Sequence, residues 1–343
     1  MGAPAPFLLP GPVPGAAPQP PGDEARVECL VTGATGFVGS ALCEALAAQG
    51  HTVQRAGRDA ALEVTLDLAA GAAPVVPPGI DVVFHLAGLA HRSAPAARHE
   101  QVNHRGTAAL ARAAAAAGVP HFLFLSSVKA LGPAPGPASR GESDGCPPRD
   151  GYGRAKAAAE RELEAIAAGS AMAVTVLRPA LVYGPGARGN LDLLCRWVAA
   201  GRPAPPAVGA RSLVSRDDLV QLLLTVATQP AAGYRCWNVT DGERYTARRL
   251  CAALARAQGR ALAGPALPAW AWRAAAAVRD VLRGERPGQT AAALLGWDCY
   301  RNDAVRAATG WVPRQRFEDV APALVAAWAA GLAGAAVTEG AGR

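Results

Sequence analysis

A tyrosine and a lysine lie four positions apart near the middle of the chain, at the start of a helix predicted over residues 153–168. Tyr152 and Lys156 would share one face of this helix, because residues i and i+4 are neighbours on a helix surface. The ammonium would favour the phenolate and lower the pKa of Tyr152 toward the range of a general base. Ser127, at the end of a predicted strand, could hydrogen-bond the same substrate oxygen. The three side chains therefore predict proton transfer at a carbon that carries a hydroxyl group.

Three glycines follow the first predicted strand at intervals of three residues. Gly33 would allow a tight turn, Gly36 would let backbone N–H groups approach a pyrophosphate, and Gly39 would let the next helix pack closely on the sheet. The N-terminus of that helix would add a partial positive charge beside the phosphates. Because strand, turn and helix fall where this motif requires them, the stretch predicts a dinucleotide-binding site.

Strands and helices alternate through the first half of the chain. The predicted strands are residues 27–32, 52–55, 64–66, 82–86, 122–126 and 173–177, and the predicted helices are residues 40–49, 102–117 and 153–168. This alternation predicts an α/β fold with a doubly wound parallel sheet of the Rossmann type and helices on both faces. In such sheets ligands bind at the carboxyl edge, at the point where the strand order reverses.

Composition divides the chain into three parts. Residues 1–25 are rich in Pro, Gly and Ala and lack the regions of a secretory signal, so a disordered extension is expected there. Residues 26–185 are expected to form the NAD(P)-binding domain. Residues 186–343 are expected to form a smaller C-terminal substrate lobe, with part of 207–240 returning to the first domain. The Ala-rich run 320–337 is expected to be a packed or surface helix.

Charge and residue counts exclude several functional classes. The net charge is +7, but the arginines are scattered without a basic run, which favours an anionic small molecule over nucleic acid. The seven cysteines are scattered and the six histidines, including His85 and His99, lack metal-site spacing. These features predict reduced thiols, a cytoplasmic location, no metal site and histidines at the surface or at helix caps. No run is apolar and long enough to span a bilayer, so no membrane partner is expected.

The order of these motifs resembles that of the extended short-chain dehydrogenases/reductases (SDRs), in the group of NAD-dependent nucleotide-sugar epimerases and dehydratases. The resemblance covers residues 27 to about 320. It rests on Thr32-Gly33-Ala34-Thr35-Gly36-Phe37-Val38-Gly39, His85-Leu86-Ala87-Gly88, Asn103 with Gly106-Thr107, Ser126-Ser127, Tyr152 with Lys156, and Arg178-Pro179-Ala180-Leu181-Val182-Tyr183-Gly184-Pro185-Gly186.

The resemblance implies a role for each matching position. It implies catalysis by Ser127, Tyr152 and Lys156, and a homodimer formed through the helices that follow Gly106 and Tyr152. The residues implied to bind the cofactor are Gly33, Thr35, Gly36, Phe37, Val38, Gly39, Arg58, Asp67, Leu68, Leu86, Ala87, Gly88, Asn103, Lys156 and Pro179. The residues implied to bind the substrate are Ser127, Tyr152, Asn190 and Arg211.

Two departures from the family pattern narrow the function. Dehydratases of this group carry an acidic pair directly after the catalytic hydroxyl, where this chain has Val128 and Lys129, so dehydration is not expected. Members that prefer NAD usually end the second strand with an acidic residue that binds the ribose 2′-OH. Here that position is Gly57, followed by Arg58, which leaves both NAD and NADP open as the cofactor.

Four functions remain open from the sequence. The first is oxidation and reduction at C4 of a UDP-sugar, as in a UDP-glucose 4-epimerase, and the second is NADPH-dependent reduction of a 4-keto-sugar nucleotide. The third is a dehydrogenase or reductase of an apolar secondary alcohol of the steroid or flavonoid type. The fourth is a non-catalytic dinucleotide-binding protein, against which the intact pair of Tyr152 and Lys156 argues.

Overall fold

The computed structural model describes residues 26–71, 74–89, 94–187, 189–262, 267–284 and 287–340, with side chains up to residue 332. The predicted extension, residues 1–25, lies outside the described residues. The strands are β1 Glu28–Thr32, β2 Thr52–Gly57, β3 Val64–Thr65, β4 Val82–His85, β5 His121–Leu125, β6 Ala173–Pro179, β7 Leu181–Tyr183, β8 Ala210–Arg211, β9 Leu213–Ser215, β10 Tyr234–Val239 and β11 Trp297–Asp298. The α-helices are α1 Phe37–Ala48, α2 Ala96–His99, α3 Thr107–Ala116, α4 Gly151–Ala168, α5 Asn190–Ala199, α6 Arg216–Ala227, α7 Ala247–Ala257, α8 Ala269–Leu282, α9 Gln289–Leu295, α10 Asp303–Thr309 and α11 Phe317–Gly340.

Seven of these strands form one parallel sheet in the order β10-β6-β5-β4-β1-β2-β3. β1 pairs with β2 on one side and with β4 on the other, so the winding of the sheet reverses at this point. A crevice therefore opens outside the carboxyl ends of β1 and β4, where sheets of this kind bind their ligands. The predicted doubly wound α/β fold is confirmed.

Helices cover both faces of the sheet because its inner strands are apolar on both sides. Every residue of β4 is buried. On one face, Leu42 of α1 and Leu223 of α6 belong to one apolar core. On the other face, Leu110 of α3 and Leu163 of α4 belong to a second core. The residues that follow the carboxyl ends of the strands are left to form the site.

The helix predicted over residues 102–117 is irregular at its start. The short helix α2 is followed by a π-helical segment, Glu100–Gly106, before α3 begins. A π-helical turn accommodates an extra residue, and apolar periodicity does not reveal it.

The helix predicted over residues 153–168 corresponds to α4, which begins two residues earlier than predicted. Its N-cap is Asp150, whose carboxylate accepts a hydrogen bond from the Gly153 N–H at 2.7 Å.

The second half of the chain builds a smaller lobe and also completes the large sheet. In the lobe, α5, α7 and α11 pack around a core that includes Leu191, Leu254 and Phe317. Two short sheets, β7 with β9 and β8 with β11, join its segments. β10 and α6, from the stretch 207–240, return to the large sheet, where β10 pairs with β6 and α6 packs on α1. The expected C-terminal helix falls within α11, and among the helices of the described ranges none has the length and apolar character needed to cross a membrane.

A buried carboxylate lies where β10 leaves the sheet for the lobe. One oxygen of Asp241 is 2.8 Å from the Tyr245 hydroxyl and 3.2 Å from the Tyr183 hydroxyl. Burial raises the pKa of Asp241 to about 6, although the hydrogen bond from Tyr245 partly offsets this. Between about pH 4 and 6 the folded state therefore holds a proton that the unfolded chain has released.

Replacing Asp241 with Asn should remove a pH dependence from the stability of the fold. A raised folded-state pKa contributes stability that is fully present below the unfolded pKa and is lost as the pH rises through about 6. We expect the free energy of unfolding of Asp241→Asn, relative to wild type, to increase by roughly 2–3 kcal/mol between pH 4 and pH 7. Urea unfolding at the two pH values measures this change. An equal difference at both values would show that burial does not shift the ionisation of Asp241.

Candidate active site

The glycine turn between β1 and α1 has the shape and polarity of an anion site. Gly33 has a φ of +72°, and a Cβ atom at Gly39 would lie 2.1 Å from the Gly33 carbonyl oxygen, so both positions require glycine. Gly36 caps α1 without a side-chain hydrogen bond, and no acidic residue stands in the first turn. The N–H groups of Phe37 and Val38 are thus left for an external acceptor, and the helix dipole favours an anion there. The turn fits the pyrophosphate of a dinucleotide.

The turn packs directly against the end of β4. A Cβ atom at Gly33 would lie 2.7 Å from the Ala87 nitrogen, whose N–H donates to the Thr32 hydroxyl at 3.2 Å. His85 Nδ1 lies 2.7 Å from the same hydroxyl oxygen, and His85 Nε2 lies 2.9 Å from Thr107 Oγ1. The predicted surface or cap position of His85 is wrong, because the ring is buried and burial lowers its pKa to about 3. His85 instead ties β1, β4 and α3 together.

Asn103 in the π-helical segment fixes the loop that follows β4. Its side-chain oxygen accepts from the Leu89 N–H at 2.7 Å, and its amide nitrogen donates to the Leu89 carbonyl at 2.9 Å. Gly88 lies beside this pair: a Cβ atom there would be 3.0 Å from Asn103 Oδ1 and 3.6 Å from Lys156 Nζ. The structure thus brings together Gly88, Asn103 and Lys156, three residues predicted to contact the cofactor.

Lys156 is a buried residue of α4, and its ammonium contacts a carbonyl oxygen and the face of an aromatic ring. Nζ donates to the Leu125 carbonyl at 2.9 Å and lies 4.4 Å from the centre of the Phe124 ring. Burial lowers the pKa of Lys156 to about 8, while the carboxylate of Glu160, one turn further along α4, opposes this change. Lys156 therefore remains mostly protonated at neutral pH.

Tyr152 and Ser127 are joined by a side-chain hydrogen bond. The ring of Tyr152 also meets the ring of His99 edge to face, with centroids 5.7 Å apart. The predicted lowering of the Tyr152 pKa by Lys156 is wrong, because burial raises this pKa and only the hydrogen bond with Ser127 opposes it. The ammonium of Lys156 is directed at the Leu125 carbonyl instead. The spacing of four residues correctly indicated a shared helix face, but it did not reveal how far burial would dominate.

The remaining predicted cofactor residues follow or end strands along the carboxyl edge of the sheet. They are Thr35, Arg58, Asp67, Leu68, Leu86 and Pro179. Arg58 and Asp67 are exposed, whereas Pro179, the last residue of β6, is buried. Leu68 packs beside Gly106, where a Cβ atom would lie 2.8 Å from the Leu68 side chain. These six residues therefore lie at or shortly after the carboxyl ends of strands.

The two residues after Ser127 lie in surroundings unsuited to acid–base exchange with a substrate. Val128 is buried in a small apolar cluster with Ala180 and Tyr300. The ammonium of Lys129 pairs with the Asp298 carboxylate at 2.5 Å, which links this segment to β11 in the second lobe. Both side chains are engaged in holding structure together.

The predicted substrate residues Asn190 and Arg211 belong to the second lobe. Asn190 is the exposed first residue of α5. Arg211 lies in β8, half-buried, and its guanidinium donates to the carbonyl of Ala293. The two residues thus stand on separate elements, which are different from the end of β5 and the helix α4 that carry Ser127 and Tyr152.

A protein-family model accounts for this combination of sheet, turn and side chains. The model of the NAD dependent epimerase/dehydratase family matches residues 29–240. The chain belongs to this family. UDP-glucose 4-epimerase of Vibrio cholerae is 34% identical to it over 268 residues, which cover 71% of this chain and 80% of the relative. As a member of the family, the chain is a nicotinamide-dinucleotide-dependent enzyme of the extended SDR type.

Solved structures share the fold of this epimerase/dehydratase family member. MoeE5, in complex with UDP-glucose and NAD, matches with a TM-score of 0.71 at 24% identity and covers 89% of this chain and 99% of its own. RMD from Pseudomonas aeruginosa, complexed with NADPH, matches with a TM-score of 0.67 at 24% identity and covers 88% and 98%. The fold thus occurs with either dinucleotide.

Sequence reasoning missed two residues that support the candidate site, His99 and Glu160. His99 is buried, contacts Tyr152 and lies 3.2 Å from the Asn103 amide nitrogen through Nδ1, while its Nε2 has no protein partner among the described residues. Glu160 forms a two-point ion pair with Arg178, with an N–O distance of 2.7 Å. The helical spacing of four residues, from His99 to Asn103 and from Lys156 to Glu160, was the available signal.

Asn103→Ala should loosen the loop after β4 without unfolding the enzyme. The substitution removes both hydrogen bonds to Leu89, and each bond contributes about 1 kcal/mol. We expect amide hydrogen exchange in residues 86–89 to become roughly tenfold faster or more. His99→Phe is the matched control, since it removes the Nδ1 contact to Asn103 but leaves the Leu89 pair intact. Unchanged exchange in Asn103→Ala would mean that other contacts hold the loop.

Proposed function

We propose that this enzyme interconverts the two C4 epimers of a UDP-sugar in the cytoplasm, in the manner of a UDP-glucose 4-epimerase. The observation that carries the proposal is the hydrogen bond between Ser127 and Tyr152. Lys156 lies one turn after Tyr152 on α4 and donates to Leu125, the last residue of the strand that precedes Ser127. The 34% identity to the Vibrio cholerae UDP-glucose 4-epimerase supports the substrate class. We further propose a homodimer through α3 and α4, as the resemblance implies.

The proposed chemistry moves one proton and one hydride at C4. The Tyr152 oxygen takes the proton of the C4 hydroxyl during oxidation and returns a proton to the keto oxygen during reduction. A bound nicotinamide dinucleotide would supply the site that accepts and returns the hydride. The hydrogen bond with Ser127 favours the phenolate needed for oxidation. Burial favours the neutral phenol, which reduction needs.

The residues after Ser127 support redox chemistry over elimination. Eliminating water would require a group next to the catalytic hydroxyl that can take and give a proton. Val128 has no such group, and Lys129 is paired with Asp298. The proposed reaction therefore stops at the 4-keto sugar and returns to the alcohol.

For the substrate we propose that Asn190 and Arg211 hold the nucleotide diphosphate. A guanidinium suits this charge because it can donate two parallel hydrogen bonds to phosphate oxygens. The backbone of Arg211 in β8 is held by two hydrogen bonds with the backbone of Tyr245. The complex of MoeE5 with UDP-glucose supports a site of this kind in the fold.

Tyr152→Phe should abolish most of the conversion of UDP-glucose to UDP-galactose. The loss of the proton-transferring hydroxyl is expected to lower the rate by roughly 10²-fold or more. Tyr234→Phe is the matched control, because Tyr234 is the first residue of β10 and lies at the amino end of the parallel strands, whereas Ser127 follows the carboxyl end of β5. The rate is measured by separating the two sugar nucleotides, with thermal unfolding of each variant as a check on folding. Turnover by Tyr152→Phe at the rate of the control would refute the assignment of the base.

A second candidate function is the NADPH-dependent reduction of a 4-keto-sugar nucleotide. The observation that favours it is the end of β2, where Gly57 is followed by exposed Arg58. A missing carboxylate and an adjacent guanidinium can accommodate a 2′-phosphate. The next acid, Asp59, accepts a hydrogen bond from the Ala61 N–H at 3.0 Å and so caps a local turn. The two functions differ in the dinucleotide that they need.

Arg58→Ala should distinguish the two functions through cofactor affinity. If Arg58 binds a 2′-phosphate, its removal should weaken the binding of NADPH by about tenfold and leave NADH unaffected, because one charge-assisted contact contributes about 1.5 kcal/mol or more. Calorimetric titration with both dinucleotides measures this. Arg55→Ala is the control, since Arg55 is an exposed arginine of β2 that pairs with Glu63. An equal loss for both dinucleotides would favour the epimerase, which can retain NAD throughout its cycle.

A further inference from the structure

Helix α8 packs against the rest of the protein with one face and exposes apolar side chains to solvent on the other. Trp272, Ala276 and Asp280 are buried at intervals of four residues. On the opposite face, Trp270 is 73% exposed, and the solvent-facing side chains that follow it are Val278, Val281 and Leu282, at 60%, 61% and 82%. Val278 lies eight residues, or about two turns, after Trp270, and Val281 and Leu282 follow three and four residues after Val278, so the four side chains share one side of the helix and form one stripe.

This stripe is unusual for a helix at a protein surface. A surface helix normally places polar or charged residues on its outer face. The outer face of α8 is completed by Ala274 and Ala275, and Leu267 just before the helix is also exposed. Together these side chains expose on the order of 500 Å², which is the size of the functional patches found on monomers. Such a patch predicts a docking surface.

Basic residues border the stripe. Arg273 is exposed three residues after Trp270, and Arg283 is exposed directly after the last residue of α8. The only acid within α8, Asp280, is fully buried and accepts hydrogen bonds from Thr290 of α9. The rim of the stripe on α8 is therefore positively charged, in a chain whose net charge is +7.

We propose that α8 docks the enzyme on the surface of an anionic lipid bilayer, with its apolar stripe at the level of the headgroups. A tryptophan, aliphatic side chains and flanking arginines are what interfacial helices use to bind such a surface. A second copy of the chain suits the patch less well. A standard dimer interface buries about 800 Å² per partner, and two copies would bring arginine rims together. The proposal departs from the expectation of no membrane partner. That expectation was based on the lack of a run long enough to span a bilayer, whereas α8 would lie in the plane of the interface.

Flotation of the purified full chain with lipid vesicles tests the proposal without using enzymatic activity. Vesicles of 30% phosphatidylglycerol and 70% phosphatidylcholine should carry the wild-type protein upward at low salt. The double variant Val278→Glu/Leu282→Glu should lower the bound fraction about tenfold or more, because two charges would enter the apolar layer. Raising the salt to 0.5 M should weaken binding several-fold, since salt screens the attraction to the headgroups.

The chain offers a closely matched control. Val75 and Val312 are 79% and 56% exposed at other sites, so Val75→Glu/Val312→Glu introduces the same charge at similar exposure outside α8. This variant should float like wild type. Three results would overturn the proposal: no flotation of wild type, an equal loss in the control, or a dimer in size-exclusion chromatography with light scattering that Val278→Glu/Leu282→Glu dissociates. The last result would identify the occupant as a second copy.

Discussion

The candidate site depends on keeping a lysine ammonium charged in a buried position. Removing such a charge from water is costly unless it is paired or hydrogen-bonded. Lys156 has the Leu125 carbonyl, the face of Phe124 and the nearby carboxylate of Glu160. Glu160 is in turn neutralised by Arg178 and accepts a hydrogen bond from Ser126. The alternation of charges along α4 and β6 therefore makes the buried ammonium tolerable.

The same network connects the charge to the position of the reacting hydroxyl. Ser126 is held by Glu160 through its side chain and by the Leu177 carbonyl through its backbone. Ser127 is the next residue and caps the turn after β5, where its hydroxyl accepts from the Lys129 N–H at 3.2 Å. Ser126 and Val128, the neighbours of Ser127, are both held in place. They therefore orient the Ser127 hydroxyl toward Tyr152. A single carboxylate thus supports both the lysine and the serine.

The sequence could predict those parts of the site in which a residue type is dictated by local geometry. The glycines of the β1–α1 turn are required by a positive φ and by a Cβ clash at 2.1 Å, and such constraints act within a few residues. The parallel sheet follows from strands that are apolar on both faces. The burial of His85 and His99, the π-helical segment and the raised pKa of Tyr152 could not be predicted. Each depends on which distant segments pack around it, and the spacing of residues along one helix carries no such information.

Lys129 stands where dehydratases of this family carry an acid, and this difference has a structural consequence that the sequence did not indicate. Its ammonium pairs with Asp298 of the second lobe, and Asp298 in turn lies beside the hydroxyl of Tyr300. Arg140 extends this connection, because its backbone pairs with residues 299–301 and its guanidinium donates to Tyr300 at 2.7 Å. The position that would carry an acid in a dehydratase is therefore occupied by a cation that connects the turn containing Ser127 to the second lobe. An acid at that position would repel Asp298 and weaken this connection. The departure from the dehydratase pattern and the attachment of the two lobes thus involve the same side chain, Lys129.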